Sequence, residues 1–183
     1  MPMNTYISML RGINVSGQKK IRMADLKSLY ESLGLANVQT YVQSGNVVFD
    51  SGEQNLEKLK ESIESQIESA YGFSVPVLIR TGNDFRHLIG SRHFRKERSK
   101  NPSKVMVTFM YDSPDQSKLG ELSVPENETC EFVIADHEIF LFCPDGYGQS
   151  KLSNNFFEKK LDIVATTRNW KTVVALYELS SER

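Results

Sequence analysis

The sequence predicts an α+β fold: a ferredoxin-like N-terminal half (βαββαβ) packed against a second, irregular α+β half of partly similar topology. Three observations predict it. From Thr5 to Arg80 the apolar spacing runs in the order strand, helix, strand, strand, helix, strand. A Ser44-Gly45-Asn46 turn stands where the two middle strands must form a hairpin. From Lys104 onward the same order begins again, without a clear final strand.

The elements follow in turn. Thr5 to Leu10 reads as the first strand, with Tyr6, Ser8 and Leu10 on an outer face and Ile7 and Met9 on an inner one. Met23, Leu26, Leu29, Tyr30 and Leu33 have helical spacing, and Gly34 is a natural stop. Val38 to Gln43 and Val47 to Asp50 flank the turn as two strands. Leu56, Leu59, Ile63 and Ile67 form the stripe of a second helix ending near Gly72, and Val75 to Arg80 is a further strand. In the second half, Lys104 to Tyr111 reads as strand and Gln116 to Leu122 as a short helix. Thr129 to Cys143 is a hairpin turning at Asp136-His137, and Asn154 to Leu161 and Asn169 to Leu179 are helices. The domains are then a ferredoxin-like half, 1–81, a basic linker, 82–104, and a second half, 105–183, with two C-terminal helices.

Composition places the chain among soluble proteins. It has 183 residues, 39% hydrophobic and 25% charged, with a net charge of −1. No apolar run approaches the roughly 20 residues of a membrane span, and the N-terminus shows no secretory pattern. A cytoplasmic location is expected. The hairpin register sets Cys130 opposite Cys143 on an apolar face, and in a cytosolic chain both are expected as buried, reduced thiols.

Charge is unevenly placed. Residues 80–104 carry eight basic and two acidic residues, whereas 105–183 carry seven and thirteen. Arg92, Arg95, Lys96, Arg98 and Lys100 lie in the basic stretch. It reads either as a solvated linker or as an electrostatic footprint for nucleic acid.

Two further motifs put polar residues where the chain turns. Leu10-Arg11-Gly12-Ile13-Asn14-Val15-Ser16-Gly17 follows the first strand, and the glycines let backbone N–H groups and the Arg11 guanidinium approach an anion. The ferredoxin-like topology brings this loop to the same end as the hairpin residues Ser44 and Asn46, so Arg11, Asn14, Ser16, Ser44 and Asn46 are expected to converge. Ala165-Thr166-Thr167-Arg168-Asn169-Trp170 reads as a helix start with Thr167 as its cap. It places Arg168 and Asn169 near an anion-favouring helix end. Gly146 to Lys151 is a flexible loop whose Lys151 could close over a phosphate. The competing readings are backbone hydrogen bonding for Arg11 and Asn14, plain turn chemistry for Ser44 and Asn46, an internal carboxylate pair for Arg168, and a mobile surface loop for Gly146 to Lys151. No acid–base set, nucleophile motif, metal-ligand spacing or cofactor signature is present, so catalytic residues stay unassigned and no cofactor or metal is expected.

Taken together, these motifs resemble an uncharacterised bacterial family, the domain-of-unknown-function family 1697. The carrying pieces are Leu10 to Val15, Ser44 to Phe49, and Gly148 with Ser150-Lys151-Leu152. Phe157-Glu158 with Leu161 and Ala165 to Trp170 with Thr172-Val173 complete them. The resemblance implies an α+β fold with a ferredoxin-like first half and no established activity. From the residues themselves, the leading expectation is a binding module for an anionic or phosphorylated ligand held by Arg11, Asn14, Ser44, Asn46, Lys151, Arg168 and Asn169. An enzyme of phosphoryl or nucleotide chemistry, and a nucleic-acid binder using the basic stretch, are the alternatives. No membrane partner is expected.

Overall fold

The structure, a computed structural model, describes residues 3–182. The first half comprises β1 (Asn4–Leu10), α1 (Met23–Ser32), β2 (Ala36–Tyr41), β3 (Asn46–Ser51), α2 (Leu56–Tyr71) and β4 (Val77–Thr81). Its sheet has the order β2-β3-β1-β4 with antiparallel neighbours, the ferredoxin-like arrangement. Local chemistry fixes the ends of α2. Asn55 Oδ1 accepts the Lys58 N–H at its start, and Gly72 closes it with φ 74°.

The helices bury their stripes against one face of this sheet. Leu26, Leu29 and Tyr30 of α1 and Leu59, Ile63 and Ile67 of α2 pack with Tyr6, Leu10, Val47, Phe49, Val77 and Ile79. Val47 and Phe49 of β3 and Val77 and Ile79 of β4 face the helices, and the alternation expected for β1 is inverted. Tyr6, Ser8 and Leu10 face the helices, and Ile7 and Met9 face away. Both faces of β1 are buried, so its sequence carries no polar-out signal. Ser8, polar and therefore read as outward, is buried and hydrogen-bonded to the Tyr30 hydroxyl at 2.9 Å.

Residues 82–104, expected as a linker, fold into α3 (Gly82–Gly90), α4 (Arg95–Lys100) and a single 3-10 turn at Pro102–Lys104. The signal was present in Thr81-Gly82-Asn83-Asp84. Thr81 Oγ1 accepts the Asp84 N–H and the Asp84 carboxylate accepts the Thr81 N–H, a reciprocal cap that starts α3.

The second half then runs β5 (Val105–Met110), α5 (Gln116–Gly120), β6 (Glu131–Ala135), β7 (Glu138–Phe142), α6 (Asn154–Leu161), β8 (Ala165–Asn169) and α7 (Trp170–Ser181). Its sheet order is β6-β7-β5-β8, the counterpart of the first. The fold class is the expected one, and one element differs from the expectation: the second half has a final strand, β8. Ala165 to Asn169 pairs antiparallel with Met110 to Met106 instead of opening a helix. Backbone bonds repeat between the halves. Leu10 N–H reaches Gly45 O at 2.8 Å and Met110 N–H reaches His137 O at 2.9 Å; Arg11 N–H reaches Pro76 O and Tyr111 N–H reaches Val164 O, both at 2.9 Å.

The hairpin register is the expected one, with Phe132 opposite Leu141 and Ile134 opposite Ile139. Those residues, with Cys130, Cys143, Leu152, Phe157 and Leu161, form the second core. Cys130 and Cys143 are joined as a disulfide, which corrects the expectation of reduced thiols. Two compact units result: Gly90–Val174 is one, and the other comprises the chain up to Ile89 together with the part from Ala175 onward. Among the described residues no helix is long and apolar enough to cross a membrane.

Candidate functional site

The end of the first sheet where β1 leaves brings together the β1–α1 loop and the β2–β3 hairpin, as the topology requires. Val15-Ser16-Gly17-Gln18 is a tight turn closed by Gln18 N–H to Val15 O at 2.9 Å, with φ 50° at Ser16 and 76° at Gly17. Asn14 ties this loop to its surroundings. Its amide hydrogens go to the carbonyls of Ile21 (2.9 Å) and Gln43 (2.8 Å), and its Oδ1 accepts the Ile21 N–H. Gly45 is required by close packing as well as by φ 77°: a Cβ there would stand 2.7 Å from Ile13 Cδ1 and 2.8 Å from Leu10 Cβ.

The residues expected to hold an anion here are therefore engaged internally to a large degree. Asn46 is fully buried and gives its amide hydrogens to Tyr41 O and Ser44 Oγ. Lys19 Nζ donates to Ser74 O at 2.6 Å and lies over the Phe73 ring. Arg11 is half-buried, its N–H on Pro76 O.

In the second half, Arg168 lies in strand β8 opposite Val107, not in a first helical turn. Its Nη1 donates to Thr166 Oγ1 at 2.6 Å and Thr167 O at 3.0 Å. It is 7% exposed, and burial pushes its pKa down to about 10 against a smaller opposing effect of Tyr111. Arg80 holds the same register position in the first half, opposite Ile7, and bonds the preceding carbonyl in the same way. Asn169 caps α7 through Oδ1 to the Thr172 N–H. Lys151 gives Nζ to Glu126 O and its N–H to Glu128. The Glu158 carboxylate accepts the Ala165 N–H, so it supports β8.

The basic stretch has a different character. Three side chains anchor it to the second unit. His93 stacks on Phe140 at 4.8 Å, Phe94 on Phe142 at 6.0 Å, and the Arg98 guanidinium lies 4.2 Å from the centre of the Trp170 ring. Arg98 is buried, bonded to Ser91, and its pKa is lowered first by that burial and then by Arg95. It is an anchor and not part of an exposed footprint. Arg92, Arg95, Lys96 and Lys100 remain exposed on this anchored segment. None of the four makes an ion pair among the described residues, whereas Arg22, Lys27, Lys58, Lys60 and Lys118 each hold a carboxylate. No cluster of His, Cys, Asp and Glu able to hold a metal occurs among the described residues.

Residues 3–140 match a family profile described as protein of unknown function, DUF1697. The chain belongs to this family. A solved structure, described as that of the conserved bacterial protein SP0830 from Streptococcus pneumoniae, is 22% identical with a TM-score of 0.76, over 98% of this chain and 99% of that one. At that identity the likeness concerns the fold, which the two proteins share along their length. A search of curated proteins finds no match. The DUF1697 assignment thus brings a fold and no chemistry.

Proposed function

We propose that the protein is a binding module for phosphate-bearing ligands, and that its principal contact is the ridge of Arg92, Arg95, Lys96 and Lys100. One observation supports this reading above the others: four exposed cations without a carboxylate partner occur within nine positions of a segment pinned by His93, Phe94 and Arg98. Other lysines without an ion pair, such as Lys20, Lys171 and the neighbours Lys159 and Lys160, occur elsewhere, but among the described residues no other four exposed cations without one fall within nine positions. Lys96 and Lys100 stand four apart in α4 and repel one another. A row of phosphates relieves that repulsion, and a pinned segment loses little conformational entropy on binding. A nucleic-acid backbone suits the ridge better than a single phosphate, because the charges are spread along it.

The test is binding of a labelled single-stranded RNA across a salt series. Four phosphate contacts give a log–log slope of about −3. Replacing Arg92, Arg95, Lys96 and Lys100 together by Gln removes both affinity and slope. Affinity that ignores salt, or survives the replacement, sinks the reading.

The small-ligand reading at Arg11 keeps one supporting observation. The loops beside it hold Asn14, Ser16, Lys19 and Val42 at positive φ, and exposed strain in non-glycine residues gathers at ligand sites. Arg11→Ala should then abolish stabilisation by phosphorylated compounds while leaving RNA affinity unchanged.

A further inference from the structure

We propose a second binding site, in the first unit, for a polyhydroxylated ligand carrying one anionic group: in chemical class, a sugar monophosphate. A cavity of about 460 Å³ lies between the start of β1, the junction of β4 with α3, and the end of α7. That volume falls in the range of about 300–1,000 Å³ typical of small-molecule sites.

The direction of the hydroxyl protons on its wall identifies the ligand class. Thr5 donates to the Asp50 carboxylate and Thr81 to the Asp84 carboxylate, both at 2.8 Å. Ser180 and Ser181 donate to the Tyr177 carbonyl at 2.8 and 2.9 Å, and Tyr6 donates to the Glu53 carbonyl at 2.8 Å. None of these acceptors can donate in return, so these hydroxyl protons are committed within the protein. Thr81 Oγ1 and the Tyr6 hydroxyl already accept from the Asp84 N–H and the Asn4 amide, so the lone pairs left to a ligand are chiefly those of Thr5, Ser180 and Ser181, the first enriched by the carboxylate behind it. An occupant must bring donors, which is what the hydroxyls of a sugar supply.

The opposite edge has the reverse character. Asn83 and Arg86 lie three apart on one face of α3 and line the same cavity. Both are exposed, and neither makes a side-chain hydrogen bond or ion pair among the described residues. A guanidinium beside an amide suits one anionic group. Asp84, on the same helix, has its carboxylate engaged by Thr81. Its charge opposes a ligand with several anionic groups. Hydroxyls toward the strands and one phosphate toward α3 match both edges.

The experiment is a thermal-shift panel of pentose and hexose monophosphates, their parent sugars and inorganic phosphate, each at about 10 mM. At least one sugar phosphate is expected to raise the melting temperature by about 2 °C or more, with the parent sugar and inorganic phosphate well below it. Arg86→Gln, at an exposed position, should leave the unliganded melt unchanged and weaken the affinity about tenfold. Ser181→Ala should weaken it about threefold, one neutral hydrogen bond's worth. The Gln-substituted ridge should bind the sugar phosphate like the wild type, which separates this site from the one above. A panel without a responding sugar phosphate, an Arg86→Gln variant of undiminished affinity, or inorganic phosphate matching the best sugar phosphate would each overturn the proposal.

Discussion

Ser8 in β1 and Thr108 in β5 occupy the same place in their sheets, each a buried hydroxyl on the helix-facing side of the first strand. Ser8 meets the Tyr30 hydroxyl of α1. Thr108 instead meets Thr167 of β8 at 2.8 Å, and Thr167 continues to Asn154 and Tyr147. The first half thus encloses an isolated pair beneath an apolar core, and the second a connected network within a sheet whose last strand is polar. The same divergence recurs along the last strands, where Val77-Leu78-Ile79 corresponds to Ala165-Thr166-Thr167. Strand order and backbone bonding are common to both halves, whereas the side chains that satisfy the core are not. The ferredoxin-like path therefore constrains the ladder more tightly than it constrains the chemistry filling it.

Substitutions at matched positions test this contrast. The largest difference is expected at the hairpin. Gly45→Ala forces a Cβ into Ile13 and Leu10 at positive φ and should cost about 2–5 kcal/mol. His137→Ala, at the matching and exposed position, should stay within about 0.5 kcal/mol. Urea unfolding of both decides it, and equal costs would mean that the hairpins are held alike. Next comes the disulfide, confined to the second half, which closes a sequence separation of 13. Reduction should cost about 2–4 kcal/mol and speed hydrogen exchange in β6 and β7 while sparing β2 and β3. Exchange accelerating equally in both sheets contradicts this.

A smaller effect is expected in the cores. Ser8→Ala strands the buried Tyr30 hydroxyl and should cost about 1–3 kcal/mol. Thr108→Val leaves Thr167 its other partners and should cost about 1 kcal/mol or less. The smallest effect concerns pH. Burial raises the Glu128 carboxyl, but the N–H groups of Cys130 and Lys151 and the Ser150 hydroxyl together hold it below its usual value. A depressed carboxylate stabilises above its unfolded value of about 4.3 and loses that contribution as pH falls through its folded value. Below about pH 4 the amide resonances of Cys130 and Lys151 should therefore shift, and Glu128→Gln should remove the step. Persistence of the step in that variant would assign it to another group.

Much of the fold was legible because it is local. The α1 and α2 stripes, the Gly72 cap and the 130–143 register each depend on residues within a few positions of one another. The face of β1, the strand β8 and the helices of 82–104 carry little signal in the sequence. β1 is buried on both sides, β8 is polar, and the Thr81–Asp84 cap sits at the head of a stretch whose dominant signal is charge. Of the candidate site, the convergence around Arg11 was legible from topology. The internal engagement of Asn14 and Lys151 was not, since they bond to Gln43 and Glu126, 29 and 25 residues away. The disulfide shows both sides of this. Sequence placed Cys130 opposite Cys143, and only the structure joined them.

By itself, then, the sequence determined the α+β class, the first βαββαβ unit, the second hairpin with its register and the presence of a basic stretch. All of these follow from periodicity and turn chemistry acting over short spans. The tertiary structure alone decided that Ala165 to Asn169 completes a second sheet and that Arg98 is buried against Trp170 while Arg92, Arg95, Lys96 and Lys100 stay exposed without a carboxylate partner among the described residues. It also decided that the hydroxyl protons of Thr5 and Ser181 go to the Asp50 carboxylate and the Tyr177 carbonyl. The physical reason is the same in each case. A polar side chain or an unpaired strand has several partners of similar energy, and the choice among them is made by groups that the fold brings in from distant parts of the chain.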